Sequence, residues 1–314
     1  MITTDRLTRR FGENLAVDAL TLEIPSGEVF GFLGPNGAGK TTTVRMLSAL
    51  IAPTSGTATV NGYDVRLQPM DVRRTVGVLT ETPGMYDRLS AETNLRIYAD
   101  LYEVERPEAA VQKYLTILGL WERRREPVGS FSKGMKQKLA IARALIHEPR
   151  TVFLDEPTAG LDPAAARTVR EFIEELKSEG RTIFLTTHNL DEAERLCDRI
   201  GVMRGHLLAL DTPAALRARL FGQHVRLQIA NLTDALRQAV AGLPFVRGAR
   251  LADGALLVDV ADPERDNPAL VAALVGAGAQ IQYVQPALAS LEDVYLQLVH
   301  NGAALNEGVG GAQR

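Results

Sequence analysis

The chain has 314 residues, of which 46% are hydrophobic and 23% charged, as in a globular protein with room for more than one domain. Aromatic residues make up only 5% of the sequence, which argues against an all-β sandwich. The formal net charge of −3 excludes a broadly basic chain, so no nucleic-acid partner is expected, and the single cysteine excludes an intrachain disulfide.

No part of the sequence is typical of a secretory signal or a membrane span. Met1–Arg10 is charged and lacks an apolar core. The uncharged stretch from Asn267 to Leu291 is long enough to cross a bilayer, but it contains glutamines, glycines and a proline, which are costly in hydrocarbon. If the protein serves a membrane, we expect it to do so from the aqueous side.

Up to about Phe221 the sequence alternates apolar strands with amphipathic helices, the pattern of an α/β domain with a parallel sheet. Three apolar runs read as buried parallel strands: Val29–Leu33, Val152–Leu154 and Ile183–Thr186. The strand pattern stops between the first and second of these runs, from about Ala91 to Leu145. Helical spacing there covers Leu95–Leu101, Ala109–Leu118 and Leu139–Ile146. We therefore predict an α/β domain over residues 1–220, with a helical subdomain inserted at about 91–145.

After Phe221 the predicted strands and helices follow the order βαββαβ. This order predicts a small α+β domain of the split βαβ, ferredoxin-like type over residues 223–300. Its predicted strands are Val225–Ile229, Val246–Leu251, Ala255–Val260 and Ile281–Val284. Its predicted helices are Thr233–Leu243, Pro268–Leu274 and Leu291–Val299. The Gly- and Ala-rich residues 301–314 are expected to form a disordered tail.

The strand Val29–Leu33 leads into a segment that matches the phosphate-binding pattern G-x-x-x-x-G-K-[ST], and a helical pattern follows it. The segment consists of Gly34, Pro35, Asn36, Gly37, Ala38, Gly39, Lys40 and Thr41, with Thr42 next in the helix. Backbone amides in such a loop face phosphates, the lysine reaches the β- and γ-phosphates, and the threonine hydroxyl binds Mg²⁺. The alternative is a glycine-rich turn with an exposed lysine.

Polar residues follow the other two predicted strands. Asp155 and Glu156 end a hydrophobic strand, and burying unpartnered charge there would cost several kcal/mol. A bound cation resolves this: Asp155 would hold Mg²⁺, and Glu156 would orient and deprotonate an attacking water. His188 ends the next strand and would point into the ligand crevice. The alternatives are two acids that simply meet solvent, and a histidine that is either solvated or hydrogen-bonded within the core.

The segment Phe131–Met135 precedes a helical pattern and lies about twenty residues ahead of Asp155. With it, the order of motifs over about Ile2–Arg217 resembles the ATP-binding subunits of ABC transporters. In that family a Ser-x-Gly signature caps the γ-phosphate of the nucleotide held by the opposite subunit, and the resemblance gives Ser132 and Gly134 that role. An ordinary serine helix cap is the local alternative.

The same resemblance implies roles for five further residues. Phe11 would stack on adenine and Val17 would pack on its other side, although a core phenylalanine is the alternative for Phe11. Glu81 stands where the family has a glutamine that contacts Mg²⁺ and senses the membrane partner. Asp162 would communicate across a dimer, and His188 becomes the family's switch histidine.

Two departures from the family pattern matter. Lys133 adds a positive charge inside the signature, and Glu81 cannot donate a hydrogen bond when ionised, as glutamine does. Together with the ending Ser290–Tyr295, both variants resemble the subfamily that energises ABC-2-type exporters, which includes drug and antibiotic-resistance pumps.

The resemblance thus implies an ATPase with a P-loop NTPase fold that closes head to tail with a second ATPase subunit, the same chain or a relative, around two Mg·ATP. It would drive a separate polytopic permease from the cytoplasmic face of the cell membrane. A soluble ABC ATPase acting on ribosomes or DNA is the alternative function. The C-terminal domain is open to two interpretations, a ligand sensor or a support for the dimer.

Overall fold

The computed structural model describes residues 1–80, 82, 84–221, 223–252, 254–260, 262–287 and 291–300. Glu81, Ser290 and the predicted tail at 301–314 lie outside the described residues. Contacts between residues divide the chain into two compact units, one over Met1–Thr212 and one that begins at Pro213. Each unit is described by itself below.

A six-stranded sheet forms the centre of the first unit, in the order β10-β9-β3-β8-β7-β6. Its strands are β3 (Val29–Leu33), β6 (Val76–Leu79), β7 (Thr151–Asp155), β8 (Thr182–Thr187), β9 (Arg199–Arg204) and β10 (His206–Asp211). All neighbours pair in parallel except β9 and β10. Every residue of β3, β7 and β8 is buried, as continuous apolar strands of a covered parallel sheet should be.

A second, antiparallel sheet of the first unit was not predicted from the sequence. It has the order β2-β1-β4-β5, with β1 (Ile2–Phe11), β2 (Asn14–Ile24), β4 (Ser55–Val60) and β5 (Tyr63–Asp64). Register shifts interrupt the pairing of β1 with β2 and with β4, so the regular alternation of apolar and polar residues is broken. Its inner face joins the same core as the aromatic rings of β3, β7 and β8.

Seven α-helices complete the first unit within the described residues. They are α1 (Lys40–Leu47), α2 (Pro69–Thr75), α3 (Ala91–Leu101), α4 (Pro107–Ile117), α5 (Lys133–Leu145), α6 (Pro163–Ser178) and α7 (Leu190–Leu196). Helices α3, α4 and α5 occupy the segment where the sequence loses its strand pattern. All three begin earlier than their apolar spacing indicates. The Ser90 and Ser132 side chains accept hydrogen bonds from the first turns of α3 and α5, and a proline begins α4.

The second unit contains a sheet with the order β12-β13-β11-β14, in which all neighbours are antiparallel. Its elements are α8 (Pro213–Phe221), β11 (Gln223–Ile229), α9 (Asp234–Ala241), β12 (Val246–Ala252), β13 (Ala255–Val260), α10 (Pro263–Gly276), β14 (Ile281–Ala287) and α11 (Leu291–His300). This is the split βαβ arrangement expected from the sequence. Helix α8 packs against α11, so residues 213–221 belong with this unit, eight residues earlier than the boundary expected at 220.

The α/β fold class predicted from the sequence is confirmed by this architecture. Among the described residues, no helix combines the length and the apolar character that a bilayer crossing requires.

Candidate active site

The predicted site segments meet at one edge of the parallel sheet. Strand β8 lies between β3 and β7, with Thr187 beside Leu33 and Thr186 beside Asp155. Because neighbouring parallel strands end at the same edge, the loop after β3, the acids after β7 and His188 after β8 converge. A cavity of about 500 Å³ lies there, and all three segments line it. The shared crevice predicted from the sequence is present.

The loop after β3 owes its shape to a close backbone approach. Gly39 has φ +97° and caps α1, and a Cβ at this position would collide with the carbonyl oxygen of Ala16. Lys40 begins the helix and is 7% exposed. Its Nζ donates to the carbonyl oxygens of Gly34 at 2.7 Å and Pro35 at 3.2 Å. The N-terminus of α1 and a lysine ammonium therefore face the same cavity, a suitable environment for phosphate.

Asp155 supplies a buried carboxylate to the same cavity. It ends β7, is 2% exposed, and accepts a hydrogen bond of 2.5 Å from the hydroxyl of Thr186. Thr186 thus orients one carboxylate oxygen. The sequence pattern did not identify this threonine, because its position beside Asp155 depends on the register of β7 and β8.

Glu156 lies in the left-handed region with φ +52°, which non-glycine residues rarely adopt. Its N–H donates to the carbonyl oxygen of Thr186 at 3.0 Å, and its Oε1 lies 4.0 Å from Nζ of Lys40. Nδ1 of His188 lies 2.7 Å from Oε2 of Glu156. Strained residues of this kind cluster at functional sites. One carboxylate oxygen of Glu156 is therefore within hydrogen-bond distance of a histidine, and the other is within ion-pair distance of a lysine.

Half of the predicted nucleotide-binding residues line the cavity, together with the two predicted acids and the predicted histidine. Phe11 is 46% exposed and lines the cavity, so it is not a core residue. The guanidinium of Arg9 lies 4.5 Å from the centre of its ring. The other predicted residues in the lining are Asn36, Gly37, Ala38, Gly39, Lys40, Thr41, Thr42, Asp155, Glu156 and His188. The lining residues that the sequence did not indicate are Asn14, Ala16 and Ala159.

The structure corrects the expectation for Val17. Its side chain is fully buried in the core under the antiparallel sheet, so it has no surface to offer to an adenine. Its neighbour Ala16 lines the cavity instead. Alternation along β2 explains the difference, since successive side chains of a strand point to opposite faces. Gly34 and Pro35 act through their carbonyl oxygens and are not part of the lining.

The signature residues and Asp162 do not line the cavity of their own chain. Ser132 caps α5 by accepting a hydrogen bond from the N–H of Met135 at 3.3 Å. Asp162 caps α6 by accepting bonds from Ala164 at 3.0 Å and Ala165 at 2.9 Å. Lys133 is exposed and Gly134 is buried at the start of α5. These residues form a separate group around the N-termini of α5 and α6.

Two oxygen donors in the site, one from the loop and one from β7, could hold a hard cation. Thr41 and Asp155 line the main cavity and also a smaller one of about 250 Å³, which Thr80 and Thr82 border as well. A hydroxyl and a carboxylate are oxygen ligands that suit Mg²⁺, which takes one or two protein ligands beside phosphates and water. No cluster of three or more His, Cys, Asp or Glu side chains with metal-binding geometry occurs among the described residues. This donor set matches a metal that arrives with a nucleotide.

Comparisons with known proteins agree with this geometry. Residues 17–159 match the ABC transporter family. The linearmycin resistance ATP-binding protein LnrL of Bacillus subtilis (strain 168) is 31% identical, over 95% of this chain and 98% of the relative. The daunorubicin resistance ATP-binding protein DrrA3 of Streptomyces coeruleorubidus is 35% identical, over 98% of each chain.

A solved ATP-binding subunit of an ABC transporter superposes with a TM-score of 0.66 at 32% identity, and the match covers 71% of this chain and 94% of that one. The cavity, the order of its motifs and these relatives agree on one identity. The chain belongs to the ABC transporter family and is an ATP-binding, ATP-hydrolysing subunit.

Proposed function

We propose that two ATPase subunits, most simply two copies of this chain, close head to tail around two Mg·ATP. Each site would take Lys40, Asp155 and Glu156 from one subunit and Ser132 and Gly134 from the other. The observation that supports this is the position of Ser132, which caps a 13-residue helix but does not line its own chain's cavity. A helix N-terminus with a serine hydroxyl suits the γ-phosphate of a nucleotide held elsewhere.

The chemistry proposed for the site rests on Glu156. Its carboxylate accepts a proton from the attacking water, and His188, hydrogen-bonded to it, holds its orientation. Lys40 and the α1 amides stabilise the charge that develops on the phosphoryl oxygens. Thr41 and Asp155 would hold Mg²⁺, which neutralises phosphate charge when bound. Closure of two subunits would exclude water and strengthen each of these interactions.

We also propose that Glu81 contributes to the metal side of the site and to sensing of the membrane partner. Its neighbours Thr80 and Thr82 border the smaller cavity together with Thr41 and Asp155. A carboxylate in this position can offer an oxygen to Mg²⁺. Asp162, in the same proposal, couples the two sites of the dimer.

ATP-binding subunits of this family work together with membrane permeases. We propose that this chain powers an ABC-2-type exporter from the cytoplasmic face of the membrane, and is held there by its permease. The named resistance functions of its relatives support export of antibiotic-like compounds. The transported compound would bind in the permease, so the ATPase subunit does not define it.

Co-purification from native membranes tests the proposed partner. We expect a tagged chain with Glu156→Gln to retain a polytopic membrane protein in mild detergent, because ATP-bound closed subunits stay assembled. Ribosomal proteins or DNA should not follow it. Recovery with ribosomes or DNA, and no membrane protein, would instead support the alternative function of a soluble ABC ATPase.

A further inference from the structure

The side chain of Gln137 connects helix α5 to the segment that follows Glu156. Gln137 is 4% exposed, and its Nε2 donates to the carbonyl oxygen of Pro157 at 2.9 Å. Gln137 lies on α5 just after the turn that Ser132 caps. The buried amide is thus satisfied by the backbone next to Glu156, and losing the donor would leave that carbonyl oxygen without this partner.

A second contact joins the same two parts of the chain. Gly160 has φ +65°, and a Cβ placed on it would collide with Nζ of Lys133. A Cβ placed on Gly134 would lie 2.9 Å from Cβ of Ala165, at the start of α6. The first turn of α5 therefore packs against both ends of the segment from Gly160 to Ala165.

Glu156 is fixed from both sides by these contacts. On one side its N–H donates to Thr186 of β8, and on the other Gln137 holds the carbonyl of Pro157. Because Glu156 occupies a sparsely populated backbone region, its carboxylate keeps its position only while its neighbours hold the chain. A small shift of α5 would therefore reach Glu156 through Pro157.

We infer that Gln137 and Lys133 are positioning residues that couple the two ATP sites of the dimer. This rests on the proposed function, in which Ser132 and Gly134 contact the partner's nucleotide while Glu156 acts on the chain's own. Occupancy of the partner's site moves or steadies the first turn of α5. Gln137 and Lys133 transmit this change in the position of α5 to the segment that carries Glu156. Hydrolysis at one site therefore depends on ATP at the other.

Three single variants test this link. Gln137→Met keeps a side chain of similar length but cannot donate to Pro157. Lys133→Met removes the ammonium that lies on Gly160 at an exposed position, where misfolding is not expected. Lys136→Met is the matched control, because it makes the same change on the same helix but breaks only a surface ion pair with Asp87.

Steady-state ATP turnover is measured against ATP concentration, and ATP affinity is measured separately with a fluorescent ATP analogue. For the unaltered chain we expect a Hill coefficient approaching 2, the number of sites. Gln137→Met and Lys133→Met should bring it toward about 1. Gln137→Met should also lower kcat roughly tenfold, since Glu156 is less well placed, with analogue affinity unchanged. Lys136→Met should behave like the unaltered chain.

The outcomes distinguish a failure of the coupling through Gln137 and Lys133 from a failure of the proposed dimeric mechanism. A cooperative unaltered chain whose Gln137→Met and Lys133→Met variants stay equally cooperative overturns the link and leaves the dimeric mechanism standing. A Hill coefficient of about 1 in the unaltered chain, with no ATP-dependent dimer, overturns both. A loss of analogue affinity parallel to the loss of kcat also overturns the link, because a positioning residue acts on turnover and not on binding.

Discussion

Glu156 is held in a backbone conformation that side chains rarely adopt, between two groups that can carry positive charge. Its φ of +52° places it in the left-handed region, and its carboxylate lies near both Lys40 and His188. A strained backbone at a residue whose carboxylate meets both of these side chains supports a functional role for that carboxylate. Sequence alone predicted the acid, but the strained backbone and the bond to His188 follow from the folded arrangement of β7 and β8.

A second histidine makes the stability of the first unit depend on pH. His147 stacks on Tyr102 with ring centres 3.8 Å apart, and its Nε2 lies 3.1 Å from the carbonyl oxygen of Val76. Nδ1 is buried without a hydrogen-bond partner. Burial lowers the pKa of His147 from 6.5 to about 4, even though the bond to Val76 acts to raise it. The folded chain thus binds fewer protons at His147 than the unfolded chain between these two pKa values.

The free energy of unfolding should therefore fall as the pH drops from 6.5 toward 4. The stability that depends on a neutral His147 is fully present above pH 6.5 and is lost progressively below it. His147→Gln keeps a donor for Val76 but does not titrate. We expect urea denaturation to show a smaller loss of stability for this variant between pH 7.5 and pH 5, by about 2 kcal/mol. Equal losses in both chains would show that His147 does not cause the pH dependence.

At the scale of elements, the phosphate-binding loop depends on a close approach between its backbone and β2. Gly37 and Gly39 both have positive φ, +80° and +97°. A Cβ on Gly37 would meet no atom within 4 Å, whereas one on Gly39 would collide with the carbonyl oxygen of Ala16. An added Cβ would therefore meet only the cost of a positive φ at Gly37, but both that cost and a steric collision at Gly39.

Alanine substitutions use this difference. Gly39→Ala should weaken ATP binding by tenfold or more, about 1.4 kcal/mol, because the loop must move away from β2. Gly37→Ala, with only the cost of a positive φ, should weaken it less. Isothermal titration calorimetry with Mg·ATP measures both affinities. If the two variants bind ATP equally, the approach to Ala16 does not shape the loop.

The strands that precede the site residues could be predicted, because each is recognisable from its own short stretch of sequence. Strands β3, β7 and β8 are continuous apolar runs, which read as buried strands without knowledge of their neighbours. The antiparallel sheet could not be found this way, since β1 and β2 mix charged and apolar residues and their pairing contains irregularities. Val17 was misjudged for the same reason, because which face of β2 it occupies depends on those irregularities.

At the scale of the whole molecule, adjacent parallel strands explain why motifs more than a hundred residues apart form one site. The order β3-β8-β7 brings the loop at Gly34–Thr41 beside Asp155 and Glu156. The sequence predicted this convergence from the motifs. It could not show that Ser132 and Gly134 stay outside the same cavity, since that depends on how α5 and α6 pack. Their separation is the structural reason for proposing a site shared by two subunits.

The ATP turnover of Glu156→Gln tests most directly whether the loop and the acids act on one metal-bound nucleotide. With Mg²⁺ present, we expect turnover to fall by roughly 10²-fold or more, as for the loss of a general base, while ATP still binds and an ATP-bound dimer accumulates. Turnover at the rate of the unaltered chain would contradict the account, because the acid beside Lys40 and His188 would then have no part in hydrolysis.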